Sequence, residues 1–159
     1  IIELMSKSGM KVVNLGIESS DQEILKQSGK KIALNKTQTI VEKLHANGIK
    51  VQAFFMLGLV NDSKQSMLNT INFAKHLNTF SAQFCVTTPF PGTRFFEDNK
   101  NKLIHTDWSK FTEYNPVMSI DLATPQEIEY ARDFAYRTYY MSGKWLFRHG
   151  FNAISTIFS

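Results

Sequence analysis

Carboxylates and hydroxyls collect where three apolar runs of this sequence stop. The first run ends Leu15-Gly16-Ile17-Glu18-Ser19-Ser20, the second ends Leu57-Gly58-Leu59-Val60-Asn61-Asp62-Ser63, and the third ends Cys85-Val86-Thr87-Thr88-Pro89. A carboxylate at such a place can hold a cation, a hydroxyl can bond a ligand's oxygen or nitrogen, and a glycine lets backbone approach a ligand closely. Each residue also has a plainer reading. Ser20 and Asp62 can cap helices, Glu18 can be a solvated strand end, and Phe54 with Phe55 can be core. Asn61 suits a left-handed turn. Cys85, mid-run and with no histidine nearby in sequence, reads as a small buried hydrophobe rather than a nucleophile. The histidines His45, His76, His105 and His149 show no metal-ligand spacing, and the first two fall on polar helix faces, so no metal site is expected.

The elements that must position these residues follow from the patterning. Lys11 to Ile17, Ile49 to Leu59 and Phe80 to Thr88 are rich in β-branched and aromatic residues, and they recur about 35 residues apart with helical patterns between them. Continuous apolar runs in strand-helix-strand order predict βα units feeding a parallel sheet, buried on both faces. In such a sheet a ligand binds at the carboxyl ends of the strands, where the residues above stand. Helix starts are expected at Ser20-Asp21-Gln22-Glu23, at Asn35-Lys36-Thr37-Gln38 and at Asp62-Ser63-Lys64-Gln65, with aspartate as the last cap. Ile40, Val41 and Leu44, then Leu68, Ile71, Ala74 and Leu77, give the two following helices apolar faces directed at the sheet. Pro89 and Pro91 end the third run in a rigid loop, and a short helix is expected near Arg94 to Asn99. Thr124-Pro125-Gln126-Glu127 then supplies cap, first-turn proline and capping-box glutamate for a long helix with an apolar stripe at Ile128, Ala131, Ala135, Thr138 and Tyr139.

Composition bounds the rest. The 159 residues are 43% apolar and 20% charged, with a net charge of +4, enough to build one sizeable core. The longest apolar run, Ala53 to Val60, is well short of the roughly 20 residues of a membrane-spanning helix. The lysines Lys26, Lys30, Lys31 and Lys36 lack interleaved aromatics and read as a solvated face rather than a nucleic-acid surface. One cysteine and no secretory leader suggest a reducing, cytoplasmic setting. Ile1 to Ser8 reads as the tail of an amphipathic helix, so the chain is expected to be a fragment.

Taken in order, Gly16-Ile17-Glu18-Ser19, Phe55-Met56-Leu57-Gly58-Leu59 and Thr88-Pro89-Phe90-Pro91-Gly92-Thr93 resemble the second half of a radical S-adenosylmethionine domain. The likeness runs from Ile1 to Lys100. It is strongest to the class that often carries a cobalamin-binding domain and includes anaerobic cyclases of tetrapyrrole synthesis. Where that family usually reads G-L-P-G-E-T, this chain has Gly58-Leu59-Val60-Asn61-Asp62-Ser63.

The resemblance implies a fold class: α/β, with parallel βα units forming the second half of a partial (β/α)6 TIM-like barrel in residues 1–100, then a helical C-terminal extension in 101–159. It implies S-adenosylmethionine as cofactor, with Glu18 and Ser19 at its methionine or ribose part, Gly58 flanking adenine or ribose, and Val86, Thr87 and Thr88 on the adenine side. It also implies a [4Fe–4S] cluster on a C-x-x-x-C-x-x-C loop that this sequence lacks, a possible cobalamin, a small-molecule substrate, and a reductant such as flavodoxin or ferredoxin. The fragment alone is expected to be inactive. The rival expectations are a degenerate, non-catalytic half-barrel serving as scaffold or binding module, and an unrelated (β/α)8 enzyme with phosphate-binding loops, ranked last because no glycine-rich loop follows a strand.

Overall fold

The computed structural model describes residues 1–150. A short helix α1 (Ile2–Lys7) leads into strand β1 (Val12–Glu18), followed by α2 (Gln22–Gln27), α3 (Leu34–Ala46), β2 (Lys50–Leu57), α4 (Lys64–Leu77) and β3 (Ser81–Val86). The three strands form one parallel sheet in the order β1-β2-β3. Parallel pairing is what the helical crossovers between the strands require. All three carboxyl ends therefore open on one side. This is the expected half of a βα barrel.

Burial along the strands differs from the expected continuous runs. In β2, Val51, Ala53, Phe55 and Leu57 are fully buried, whereas Lys50, Gln52, Phe54 and Met56 are half-buried. The helices explain the alternation, because they cover one face only. On that face α3 packs Val41 and Leu44 against Val51 and Ile49, and α4 packs Met67, Ile71 and Ala74 against Ala53, Phe55 and Leu57. Phe55 stacks on Phe84 with ring centroids 5.5 Å apart, so only one of the two adjacent phenylalanines is core. The other, Phe54, is half-buried on the opposite face.

Beyond β3 come α5 (Arg94–Asn99), an irregular segment, and α6 (Pro125–Tyr140), which begins with the expected capping box between Thr124 and Glu127. Ile128, Ala131, Ala135 and Tyr139 join the same core as Phe55 and Phe84. Thr138 is only half-buried and bonds Phe134 O. One hydrophobic core thus draws on residues from both sides of position 100. A last turn, α7 (Gly143–Trp145), continues into a π-helical turn at Leu146–Gly150.

The outer edge of β3 is closed in an unusual way. The Phe84 N–H donates to the Tyr136 hydroxyl at 3.2 Å, the Tyr140 hydroxyl takes the Ala82 N–H at 3.0 Å and gives to Ala82 O at 2.9 Å, and the Val86 N–H donates to Glu113 O. Two tyrosines one helical turn apart do the work of a fourth strand, since buried peptide groups need partners of some kind.

Helix starts differ from expectation in register. Asp21, not Ser20, caps α2 by accepting the Glu23 and Ile24 N–H groups. Ser63 caps α4 in a box with Ser66, one residue past Asp62. The Asn35 cap is absent, for α3 starts at Leu34 with no side-chain cap. Among the described residues no helix is long and apolar enough to cross a membrane.

Candidate cofactor-binding site

Strand ends and the loops after them enclose a cavity of about 880 Å³ at the carboxyl edge of the sheet. Its floor includes Met56 at the end of β2, and its walls come from the β1 and β3 ends and from α2 and α5. The volume falls in the range of ligand pockets.

Glu18 reaches this cavity through a local irregularity. The β1–β2 register jumps between Gly16 and Glu18, leaving Ile17 as an extra residue, and Glu18 takes a left-handed φ of 69°. Such bulges re-aim side chains at strand ends, and a positive φ in a non-glycine residue marks strain. The carboxylate folds back over Gly16, where an added Cβ would come within 2.9 Å of Glu18 Oε1. Gly16 thus clears the space that Glu18 occupies. Lys30 meets Glu18 Oε1 at 2.9 Å from the opposite wall, delivered by the turn at Gly29, whose φ is 74°. Composition alone puts Lys30 on a solvated lysine face. The glycine after α2 is the signal that turns the chain back to the cavity.

Of the other residues expected here, Thr87 and Thr88 line the cavity. Thr88 Oγ1 donates to Thr112 O at 2.8 Å, and Thr87 Oγ1 is buried with no hydrogen-bond partner. A buried hydroxyl without a protein partner is costly.

Three expected residues lie elsewhere. Ser19 is fully buried, accepts the Asp21 N–H at 3.1 Å and lies 3.4 Å from Thr70 Oγ1, which ties the turn after β1 to α4. Val86 turns its side chain into the core on the helix-covered face. Gly58, with φ of 76°, does accommodate a close approach, but of α6: a Cβ would lie 3.0 Å from Ile128 Cδ1. Asn61 takes no left-handed conformation; it donates through Nδ2 to Gln27 Oε1 across the cavity rim. Asp62 is buried, with one oxygen accepting the Leu59 N–H at 3.0 Å and the other accepting Ser66 Oγ at 2.6 Å. Burial raises its pKa against the pull of those bonds. Its carboxylate holds the loop together.

Cys85 lies 3.6 Å from Glu113 Oε2, and burial first, then that carboxylate, pushes its thiol up to about 12. A thiol so held is a poor nucleophile at neutral pH. Among the described residues no group of three histidine, cysteine or acidic side chains is arranged to hold a metal.

A parallel βα sheet that opens a cavity at its carboxyl edge and is walled by helices on one face is the barrel type of α/β protein. Comparison with known proteins gives the family. Residues 1–74 match the Radical SAM superfamily. The chain is 32% identical over 158 residues to the uncharacterized methyltransferase PH0819 of Pyrococcus horikoshii, covering 95% of this chain and 34% of that protein. It is 34% identical over 116 residues to the bacteriochlorophyllide d C-12(1)-methyltransferase of Chlorobaculum tepidum, covering 72% of this chain and 25% of that one. The structure of the radical S-adenosylmethionine methyltransferase TsrM from Kitasatospora setae, with cobalamin and a [4Fe–4S] cluster bound, superposes with a TM-score of 0.56 at 19% identity. That match covers 84% of this chain and 27% of that one, and it bears on the fold alone. The chain belongs to the radical SAM superfamily and corresponds to part of its barrel domain. It spans between a quarter and about a third of the length of these two relatives.

Proposed function

We propose that the cavity binds S-adenosylmethionine in a complete radical SAM enzyme acting on a small organic molecule. One observation carries the reading: Glu18 and Lys30 present opposite charges side by side within the 880 Å³ cavity that also holds the unpartnered Thr87 hydroxyl. S-Adenosylmethionine is itself a paired-charge ligand, with ammonium and sulfonium cations, a carboxylate, and an uncharged adenosine. Glu18 would face its cationic or ribose portion and Lys30 its carboxylate, each exchanging the present ion pair for a ligand contact. Thr87 would bond a polar edge of the adenosine, with Met56 giving an apolar wall. Ser19, Gly58 and Val86 would act on the site by holding the strand ends in place.

When bound next to a reduced [4Fe–4S] cluster, S-adenosylmethionine supplies a 5′-deoxyadenosyl radical. The residues present do not fit the cluster: Cys85 is the one cysteine of the sequence, and it is buried against Glu113. We assign this chain no part in holding it. The names of the methyltransferase relatives support a substrate that receives a methyl group. Cobalamin as a further cofactor, flavodoxin or ferredoxin as reductant and a cytoplasmic setting belong to this proposal on the family resemblance alone.

The test is Glu18→Gln in the full-length protein, titrated anaerobically with S-adenosylmethionine. Affinity is expected to fall by about 1–3 kcal/mol, the value of a hydrogen bond to a charged group, with the cluster absorption spectrum unchanged. Equal affinities would remove Glu18 from the site. No binding by wild type would favour the non-catalytic half-barrel scaffold.

A further inference from the structure

Basic groups converge at the other end of the sheet, remote from the strand-end cavity. His45 from the last turn of α3, Lys50 at the start of β2, and Arg148 and His149 of the π-helical turn line a second cavity of about 280 Å³ with Phe80 as its apolar wall. Among the described residues no acidic side chain lines it. Lys50 Nζ lies 4.3 Å above the Phe80 ring, and His149 Nε2 is 3.0 Å from Asn78 O. His45 and His149 meet edge to face with ring centroids 5.8 Å apart.

His45 is the telling residue. Both of its ring nitrogens are buried and neither has a partner among the described residues. A neutral imidazole has one donor and one acceptor to satisfy, and leaving both empty is unfavourable. A structural explanation is at hand for basic residues near a helix C-terminus, since positive charge there complements the helix dipole. That role needs a charged imidazole. Burial first, then Arg148 and His149, hold the His45 pKa down at about 4, so it carries no charge near neutrality. A metal fits no better, because two imidazoles with no third ligand do not make a site.

An anion fits these features together. It would accept from the His45 N–H, supply a counter-charge to Lys50 and Arg148, and draw on donors from three separate elements. Donors spread around a cavity in this way match a tetrahedral oxyanion better than the flat edge of a carboxylate. We propose that the basic cavity formed by His45, Lys50, Arg148 and His149 is a binding site for a phosphoryl group, either free phosphate or the phosphate of a phosphomonoester. The site is independent of the strand-end cavity and of the function assigned to it.

Calorimetric titration of the full-length protein with inorganic phosphate, and separately with glycerol 3-phosphate, tests this. Saturable binding is expected, accompanied by proton uptake as the bound anion raises the His45 pKa. Lys50→Gln and Arg148→Gln should each weaken binding about tenfold or more, the effect of losing one charged hydrogen bond. Lys50→Arg should retain it, which separates loss of charge from loss of fold. Tighter binding of glycerol 3-phosphate would identify a phosphoester as the occupant, and equal or weaker binding would identify free phosphate. Absence of binding by wild type, or equal binding by Lys50→Gln and Arg148→Gln, would overturn the proposal.

Discussion

Gly58 offers a sharp test, because two explanations of the same glycine predict different failures. Replacing it with alanine places a Cβ 3.0 Å from Ile128 Cδ1 and 3.2 Å from Cγ2, on a backbone whose φ is 76°. Holding a non-glycine residue in the left-handed region costs about 1–2 kcal/mol. Forcing a methyl into a closed contact costs about 1–3 kcal/mol more. The stiffer unfolded chain returns about 0.4–1 kcal/mol. Gly58→Ala should therefore destabilise the junction of β2 and α6 by about 1–5 kcal/mol, which corresponds to amide exchange about fivefold to a few thousandfold faster. Hydrogen exchange of the α6 and β2 amides in the full-length protein reads this directly. Ile128→Ala should relieve part of the added strain in the double variant, leaving the left-handed term behind. Unchanged exchange in Gly58→Ala, combined with lost S-adenosylmethionine binding, would refute the packing argument and restore a ligand role for Gly58.

Three further outcomes are expected. His45, with its folded pKa lowered from 6.5 to about 4, contributes stability that is full above pH 6.5 and is lost as pH falls toward 4; thermal midpoints measured across that interval should fall in wild type and flatten in His45→Gln. Cys85 should resist iodoacetamide at pH 8 in the folded protein and react on unfolding, while Glu113→Gln should speed its folded-state alkylation, as mass spectrometry of the modified peptide will record. Tyr139→Phe strips the buried hydroxyl from Thr79, which meets it at 2.8 Å through Oγ1 and 2.7 Å through its carbonyl; a loss of about 1–3 kcal/mol in denaturant unfolding is expected, and a change near zero would show that Thr79 finds other partners.

What was legible in the sequence was whatever local chemistry decides. The strand centres, the α5 range and the α6 capping box all follow from residues close together in the chain. Cap positions slipped by one at Asp21 and Ser63 because each has an equally able neighbour, and only tertiary contacts choose between them. Ser20 bonds Thr70 through its N–H and hydroxyl, and Asp62 is drawn inward by the Leu59 N–H. The candidate site was partly legible for the same reason. Glu18, Thr87 and Thr88 stand at strand ends, which the βα pattern reveals, but the facing of Ser19 and Val86 depends on a bulge and a helix that pattern alone does not place. Pattern alone puts His45 on a polar helix face, since the groups that act on its ring, Arg148 and His149, lie about a hundred residues away.

The tyrosine clasp on β3 has a consequence for how this sheet can associate. Its hydroxyls occupy the Ala82 and Phe84 peptide groups on that side, while β1 has no strand beyond it among the described residues and Val12 is 48% exposed. The described sheet is therefore closed to further strands at β3 and open to pairing at β1. Further strands of a larger sheet can add on the β1 side, while the side chains of α6 end the sheet on the other.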